Sequence, residues 1–153
     1  MFSFVIPLLK TTKTEGPELE RLPIETEPDY ALFEGKKILI VEDSATNLLY
    51  IKKTLSNKGL DLIWAGDGEQ AVKQFHKNPD LDLILMDINL PVMNGLEATK
   101  KIRKFNQEIK IIAQTAFVSA KDIKMCKDAG CDSYIAKPFN QKILLSSILD
   151  IFK

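Results

Sequence analysis

Apolar residues in this chain fall into short unbroken runs, separated by stretches of helical period. In the run from Leu81 to Met86, five of six residues are apolar, and the run ends on Asp87. Buried strands of parallel sheets read this way, as continuous apolar segments rather than alternating ones. Pro91 has no N–H for a sheet ladder, so the strand must stop near Asp87. Four further runs read as strands: Lys36 to Val41, Leu60 to Ala65, Lys110 to Thr115 and Asp132 to Ala136. Between them the period changes to that of a helix. A first helix is expected from Thr46 to Lys58, with Leu48, Ile51 and Leu55 on one face and Gly59 as its stop. After an Asp67-Gly68 turn, a second spans Glu69 to Lys77, with Ala71, Val72 and Phe75 inward, and Asn78-Pro79-Asp80 breaks it. A third runs from Gly95 to Phe105 on the spacing of Leu96, Thr99, Ile102 and Arg103. A fourth runs from Ser119 to Ala129. Ser119 is a suitable N-cap, Asp122 lies in the first turn and Gly130 closes the helix. A last helix spans Asn140 to Phe152, with Ile143, Leu144, Ser147, Ile148 and Ile151 on one side.

Five strand–helix units joined by a few residues each force right-handed crossovers and a parallel sheet covered on both faces. The expected architecture is a three-layer, doubly wound (βα)5 sandwich of the flavodoxin-like kind, with strand order 2-1-3-4-5. Ligands of such sheets bind at the carboxyl ends of the strands, at the switch point between strands 1 and 3. Those two strands end in Glu42-Asp43 and in Asp87.

The residues ahead of this pattern read differently. Phe2 to Leu9 looks like a strand stopped at Pro7. Residues 10–35 hold three prolines and no regular period, and are read as an acidic linker. That stretch carries seven acids and three bases, net −4, so residues 36–153 carry the compensating +4 of a chain whose formal charge is zero. A neutral total with no basic stripe gives no support for nucleic-acid binding or for membrane contact by this chain. No apolar run approaches the ~20 residues that span a bilayer. Residues 1–9 lack the basic start and small-residue cleavage site of a signal peptide. Cys126 and Cys131 are the only cysteines. With a single histidine, His76, they supply too few soft ligands for a zinc site and read as reduced thiols of a cytosolic protein. His76 itself reads as a solvated helix residue, and Trp64 and Phe117 as packing residues.

Chemistry gathers at one sheet edge. Three carboxylates that close repel one another unless a cation compensates them. Mg²⁺, which takes one or two carboxylates, a carbonyl and several waters, fits best. Asp43, Asp87 and the backbone carbonyl of Asn89 are its expected ligands, with Glu42 bound directly or through water and Mn²⁺ an expected substitute. Thr115 ends strand 4. Lys137 follows strand 5, its turn fixed by Pro138. A hydroxyl, an ammonium and a metal-bound carboxylate together suit a transferring phosphoryl group, whose equatorial oxygens they can divide.

These residues resemble the receiver domains of two-component response regulators over residues 36–153. The acidic pair Glu42-Asp43, Asp87 in Met-Asp-Ile-Asn-Leu-Pro-Val-Met-Asn-Gly, Thr115-Ala116, Tyr134 and Lys137-Pro138-Phe139 stand in the order and spacing of that family. The resemblance implies that Asp87 accepts a phosphoryl group from a kinase phosphohistidine, with Thr115 and Lys137 contacting it. It also implies that Thr115 and Tyr134 form a conformational switch. Val41-Glu42-Asp43-Ser44 and the helix from Gly95 are similar to receivers fused to sensor kinases. Residues 1–9 are similar to the last strand of a histidine-kinase ATP-binding domain. The chain therefore looks like the carboxyl end of a hybrid sensor histidine kinase, cytoplasmic itself, whose parent can be membrane-anchored. In that setting it is a phosphoacceptor, monomeric or weakly dimeric, rather than a turnover enzyme. It would regulate the attached kinase or pass its phosphoryl group to a histidine phosphotransfer protein docked at Ser44, Asn47, Leu48, Tyr50 and Pro138. A Mg²⁺-dependent phosphatase or hydrolase with an aspartyl nucleophile is the rival reading. Such an enzyme wants an acid two residues after the nucleophile, and Asn89 stands there.

Overall fold

The computed structural model describes residues 28–153. The strand expected over residues 2–9 and most of the linker lie outside them. Five strands, β1 (Lys37–Val41), β2 (Asp61–Ala65), β3 (Leu83–Asp87), β4 (Lys110–Thr115) and β5 (Ser133–Ala136), form one parallel sheet in the order β2-β1-β3-β4-β5. The five helices between and after them are α1 (Ala45–Leu55), α2 (Gly68–Lys77), α3 (Gly95–Arg103), α4 (Ala120–Ala129) and α5 (Gln141–Phe152). The expected flavodoxin-like sandwich and its strand order are what the chain adopts. Helix α1 ends at Leu55, three residues short of expectation, because Asn57 and Gly59 both take positive φ and turn the chain.

The continuous apolar runs have a direct explanation in the layers. Within β1, Ile38 and Ile40 face one side with Ile51 and Leu55 of α1 and Leu144 and Ile148 of α5. Leu39 and Val41 face the other with Phe75 of α2 and Ala98 and Ile102 of α3. Strand β3 divides in the same way, Leu83 and Leu85 against Ile84 and Met86. A strand buried on both faces has no position where a polar residue is cheap, so period 2 vanishes from its sequence. Asp87 is the exception, the last residue of β3, still paired with Gln114 of β4 but past the end of the pairing with β1. Helix α5 buries Leu144, Ile148 and Leu149, while Ile143, expected inward, is exposed.

Each helix begins with a side-chain cap at the carboxyl edge of the sheet. Ser44, Asp67, Asn94, Ser119 and Asn140 each accept a hydrogen bond from the backbone N–H three residues on. Short polar side chains here satisfy amides the helices leave unpaired and fix the loops that carry the site.

One expectation changes. The sequence pattern predicts a linker that runs to residue 35, yet Tyr30–Phe33 form a 3-10 turn capped by Asp29. Phe33 is fully buried among core residues of α1, α5 and β1, and its ring meets Phe152 edge-on at 6.1 Å. Lys36 and Lys58 close over the rings of Phe152 and Tyr30. A turn this short leaves no periodicity in sequence; burial against distant residues alone makes it part of the domain.

Candidate functional site

The site lies where β1, β3, β4 and β5 end. Glu42 and Asp87 are buried, and Asp43 is exposed. One carboxylate oxygen from each lies within 4.8 Å of the others. Lys137, just beyond β5 and followed by a cis Lys137–Pro138 peptide, places its ammonium 2.9 Å from Asp87 Oδ2 and 2.9 Å from Glu42 Oε2. The remaining oxygens of the two buried acids take backbone donors. The Asn89 N–H donates to Asp87 Oδ1 at 3.1 Å, and the Ser44 N–H to Glu42 Oε1 at 3.1 Å. Burial opposes the charge on Lys137, but hydrogen bonds to Asp87 and Glu42 outweigh it, and its pKa is raised above the ordinary 10.5.

The loop after β3 is held against the strand end by a close backbone approach. The Gly95 N–H donates to the Ile88 carbonyl at 2.9 Å, and a Cβ added at Gly95 would collide with the Asp87 carbonyl. Glycine is required there by space rather than by conformation. The same loop receives α2, whose Gly68 N–H donates to the Met93 carbonyl at 3.0 Å.

The donor set suits a hard divalent cation. Three carboxylates face one ammonium, a formal charge of −2 when all are ionised, and every donor is oxygen. Asp43 is the accessible member. Glu42 and Asp87 are engaged alike, each by Lys137 on one oxygen and by a backbone N–H on the other. Asn89 is exposed just past the strand.

The other expected residues fall in several places. The Thr115 hydroxyl donates to the Phe117 carbonyl at 2.8 Å and accepts from the Phe117 N–H at 3.1 Å, tying down the loop after β4. Tyr134 on β5 is 41% exposed. It borders a cavity of about 300 Å³ with Ile123, Cys126 and Cys131. Asn47, Tyr50 and Pro138 line one cavity of about 480 Å³ together with Glu42, Lys137 and Phe139. The other two expected docking residues do not line it. Ser44 caps α1, and Leu48 is half-buried against the core. Leu49, 60% exposed on the same helix, was not singled out by sequence. Phe117, read as a packing residue, is 63% exposed. Trp64 is only partly packed, and its indole N–H donates to the Glu42 carbonyl at 3.0 Å, a contact no motif announced. Both cysteines are free, and burial above all pushes Cys131 up to about 12 and Cys126 upward, which keeps them protonated.

A doubly wound sheet with an acidic cluster and a lysine at its switch point defines the class of receiver domains. The response regulator receiver domain family matches residues 38–149, and the chain belongs to it. It is 40% identical over 121 residues to hybrid signal transduction histidine kinase I of Dictyostelium discoideum, covering 74% of this chain and 7% of that protein. It is 38% identical over 111 residues to chemotaxis protein CheY1 of Helicobacter pylori, covering 71% and 90%. Among solved structures, the receiver domain of sensor histidine kinase PA1611 from Pseudomonas aeruginosa, with magnesium in its active-site cleft, superposes with a TM-score of 0.71. That pair shares 36% identity, covering 77% of this chain and 98% of the other. The chain is thus a receiver domain of two-component signalling. Receiver domains generally bind Mg²⁺ at an acidic pocket and interact with kinases and phosphotransfer proteins. Among the described residues no helix is long and apolar enough to cross a membrane.

Proposed function

We propose that Asp87 is the phosphoacceptor of a phosphorelay and that its donor is the phosphohistidine of a histidine kinase. The observation that carries this is the Lys137 ammonium held at 2.9 Å between Asp87 and Glu42, beside the exposed Asp43. A buried carboxylate at the switch point, charge-paired on one oxygen and reached by a backbone N–H on the other, is a positioned nucleophile. An Asp87 oxygen attacks phosphorus in line. The phosphorus–nitrogen bond breaks, its electron pair returns to the imidazole, and an acyl phosphate forms on Asp87. Lys137 stays paired to the anionic group throughout and opposes the charge it gathers. Asp43, Asp87 and the Asn89 carbonyl would hold Mg²⁺, with Glu42 joining directly or through water; when bound, it neutralises charge on the transferring phosphoryl group, and Mn²⁺ would substitute.

The aspartyl phosphate adds acceptor oxygens and about −1.5 to −2 charge beside Thr115. The Thr115 hydroxyl leaves Phe117 for the phosphoryl group, and Tyr134 turns inward as the loop after β4 moves. Both are shifts of an existing equilibrium. The parent is a hybrid sensor histidine kinase, a reading supported by the Dictyostelium relative, and the receiver works in the cytoplasm. From Asp87 the phosphoryl group passes to a histidine phosphotransfer protein seated around Asn47, Tyr50 and Pro138, or it regulates the attached kinase.

The test is incubation with Mg²⁺ and acetyl phosphate, followed by intact mass. The expected result is a gain of one HPO₃ in the native chain and none in Asp87→Ala. Absence of the adduct, or its persistence in Asp87→Ala, overturns the assignment. Release of many phosphates per chain would favour the hydrolase reading instead.

A further inference from the structure

The single tryptophan of the chain sits beside the acidic cluster without belonging to it. Trp64 lies on the edge strand β2 and pairs in register with Ile40 of β1. Its indole reaches past the end of β1, to the Glu42 carbonyl at 3.0 Å. The Glu42 N–H donates to the Ala65 carbonyl at 3.1 Å. Strand β2 therefore grips Glu42 from both ends of the residue, by a backbone carbonyl and by a side-chain donor. The Glu42 carbonyl and the Asp43 N–H share one rigid peptide plane. Fixing that carbonyl fixes the direction in which the chain enters Asp43. Asp43 is the acid that lies beyond the ladder, and it is exposed. Among the described residues, no hydrogen bond holds its carboxylate in place. Trp64 remains 44% exposed even so, and one of its ring carbons would lie 3.2 Å from a Cβ added at Gly66. The loop after β2 thus packs against the indole and limits its swing.

We propose that Trp64 is a positioning residue for divalent-cation capture: its indole N–H aligns the Glu42–Asp43 peptide so that Asp43 faces Asp87 before the cation arrives. The proposal rests on the reading of the acidic cluster as a Mg²⁺ site. Without the indole donor, the Glu42 carbonyl is free to turn toward water, and the aligned peptide becomes one of several conformers. The apparent affinity then falls in proportion to the population that remains competent. One net hydrogen bond corresponds to a loss of about three- to tenfold in affinity.

Because Trp64 is the only tryptophan, a tryptophan auxotroph supplied with 3-benzothienylalanine replaces the indole N–H by sulfur at this position alone and keeps the ring shape. Calorimetric titration with Mg²⁺ is then compared with the native chain, without any phosphodonor. Saturable binding by the native chain, an apparent Kd raised about three- to tenfold in the analogue, and a cooperative melt lowered by only a few degrees is the expected result. Trp64→Phe should raise Kd by a similar factor. An analogue Kd within about twofold of native, or a Trp64→Phe chain that melts earlier with unchanged Kd, overturns the positioning role and leaves the cation site standing. No saturable Mg²⁺ binding by the native chain overturns the cation reading itself.

Discussion

The Lys137 ammonium and the Asp87 carboxylate stand 2.9 Å apart across fifty positions of sequence. The same ammonium holds Glu42, so one cation serves two buried acids. Lys137→Met should destabilise the fold by about 2–4 kcal/mol near neutral pH, because it strands two buried carboxylates. The pKa of Lys137 is raised in the folded chain, so its contribution is fully present below 10.5 and is lost as pH climbs through the folded value. Urea midpoints of the two chains should therefore differ most at pH 7–9 and converge above 10.5. A gap that widens with alkali would contradict the pairing.

Thr115 is engaged twice by Phe117. Thr115→Val removes both bonds and should cost about 1 kcal/mol. In the native chain, amide resonances of Phe117 and Val118 should move on phosphorylation, as the hydroxyl leaves for the phosphoryl group. In Thr115→Val they should stay near their unphosphorylated positions. Equal movement in both chains would show that the loop responds without the hydroxyl.

Phe33 is fully buried between α1 and α5. Phe33→Ala should destabilise the domain by about 3–5 kcal/mol, read as a lower urea midpoint at unchanged slope. A chain begun at Lys36 should be destabilised similarly. Loss below about 1 kcal/mol in both would mean that the 3-10 turn merely rests on the core.

Arg103 closes the far side of the domain. Its guanidinium donates to the carbonyls of Gly130, Asn106 and Ile109 and pairs with Asp132 at 2.9 Å. The same Asp132 oxygen accepts from the Ile111 N–H. A planar fork with several donors makes these contacts at once, and an ammonium cannot. Arg103→Lys should cost about 2 kcal/mol by thermal or urea denaturation despite its conserved charge. A change under about 0.5 kcal/mol would mark the fork as dispensable.

Much of the fold was legible because parallel strands buried on both faces leave unbroken apolar runs, and short connections between strand and helix permit few topologies. Asp87, Asp43, Thr115 and Lys137 were legible as residues at strand ends, since the doubly wound order brings those ends together. The caps at Asp67, Asn94 and Asn140 follow rules as plain as that of Ser119, but the sequence pattern puts Asp67 in a turn and Asn140 inside the last helix, and assigns Asn94 no role. The orientation of Thr115 was not readable. A hydroxyl at a strand end bonds whichever partner the loop offers, and here the loop offers Phe117.

The sequence by itself determined the sheet, its order and the edge at which the acids meet, because periodicity and spacing are properties of the chain. Only the tertiary structure decided that Phe33 is core, that Phe117 is exposed, and that Trp64 grips Glu42. Phe33 and Trp64 each meet a residue far along the chain, while Phe117 stays out of the core, and local pattern carries no record of either outcome. The opposed pull of burial and pairing on Lys137 belongs to the same class: it exists only once Glu42, Asp87 and Lys137 share one buried volume.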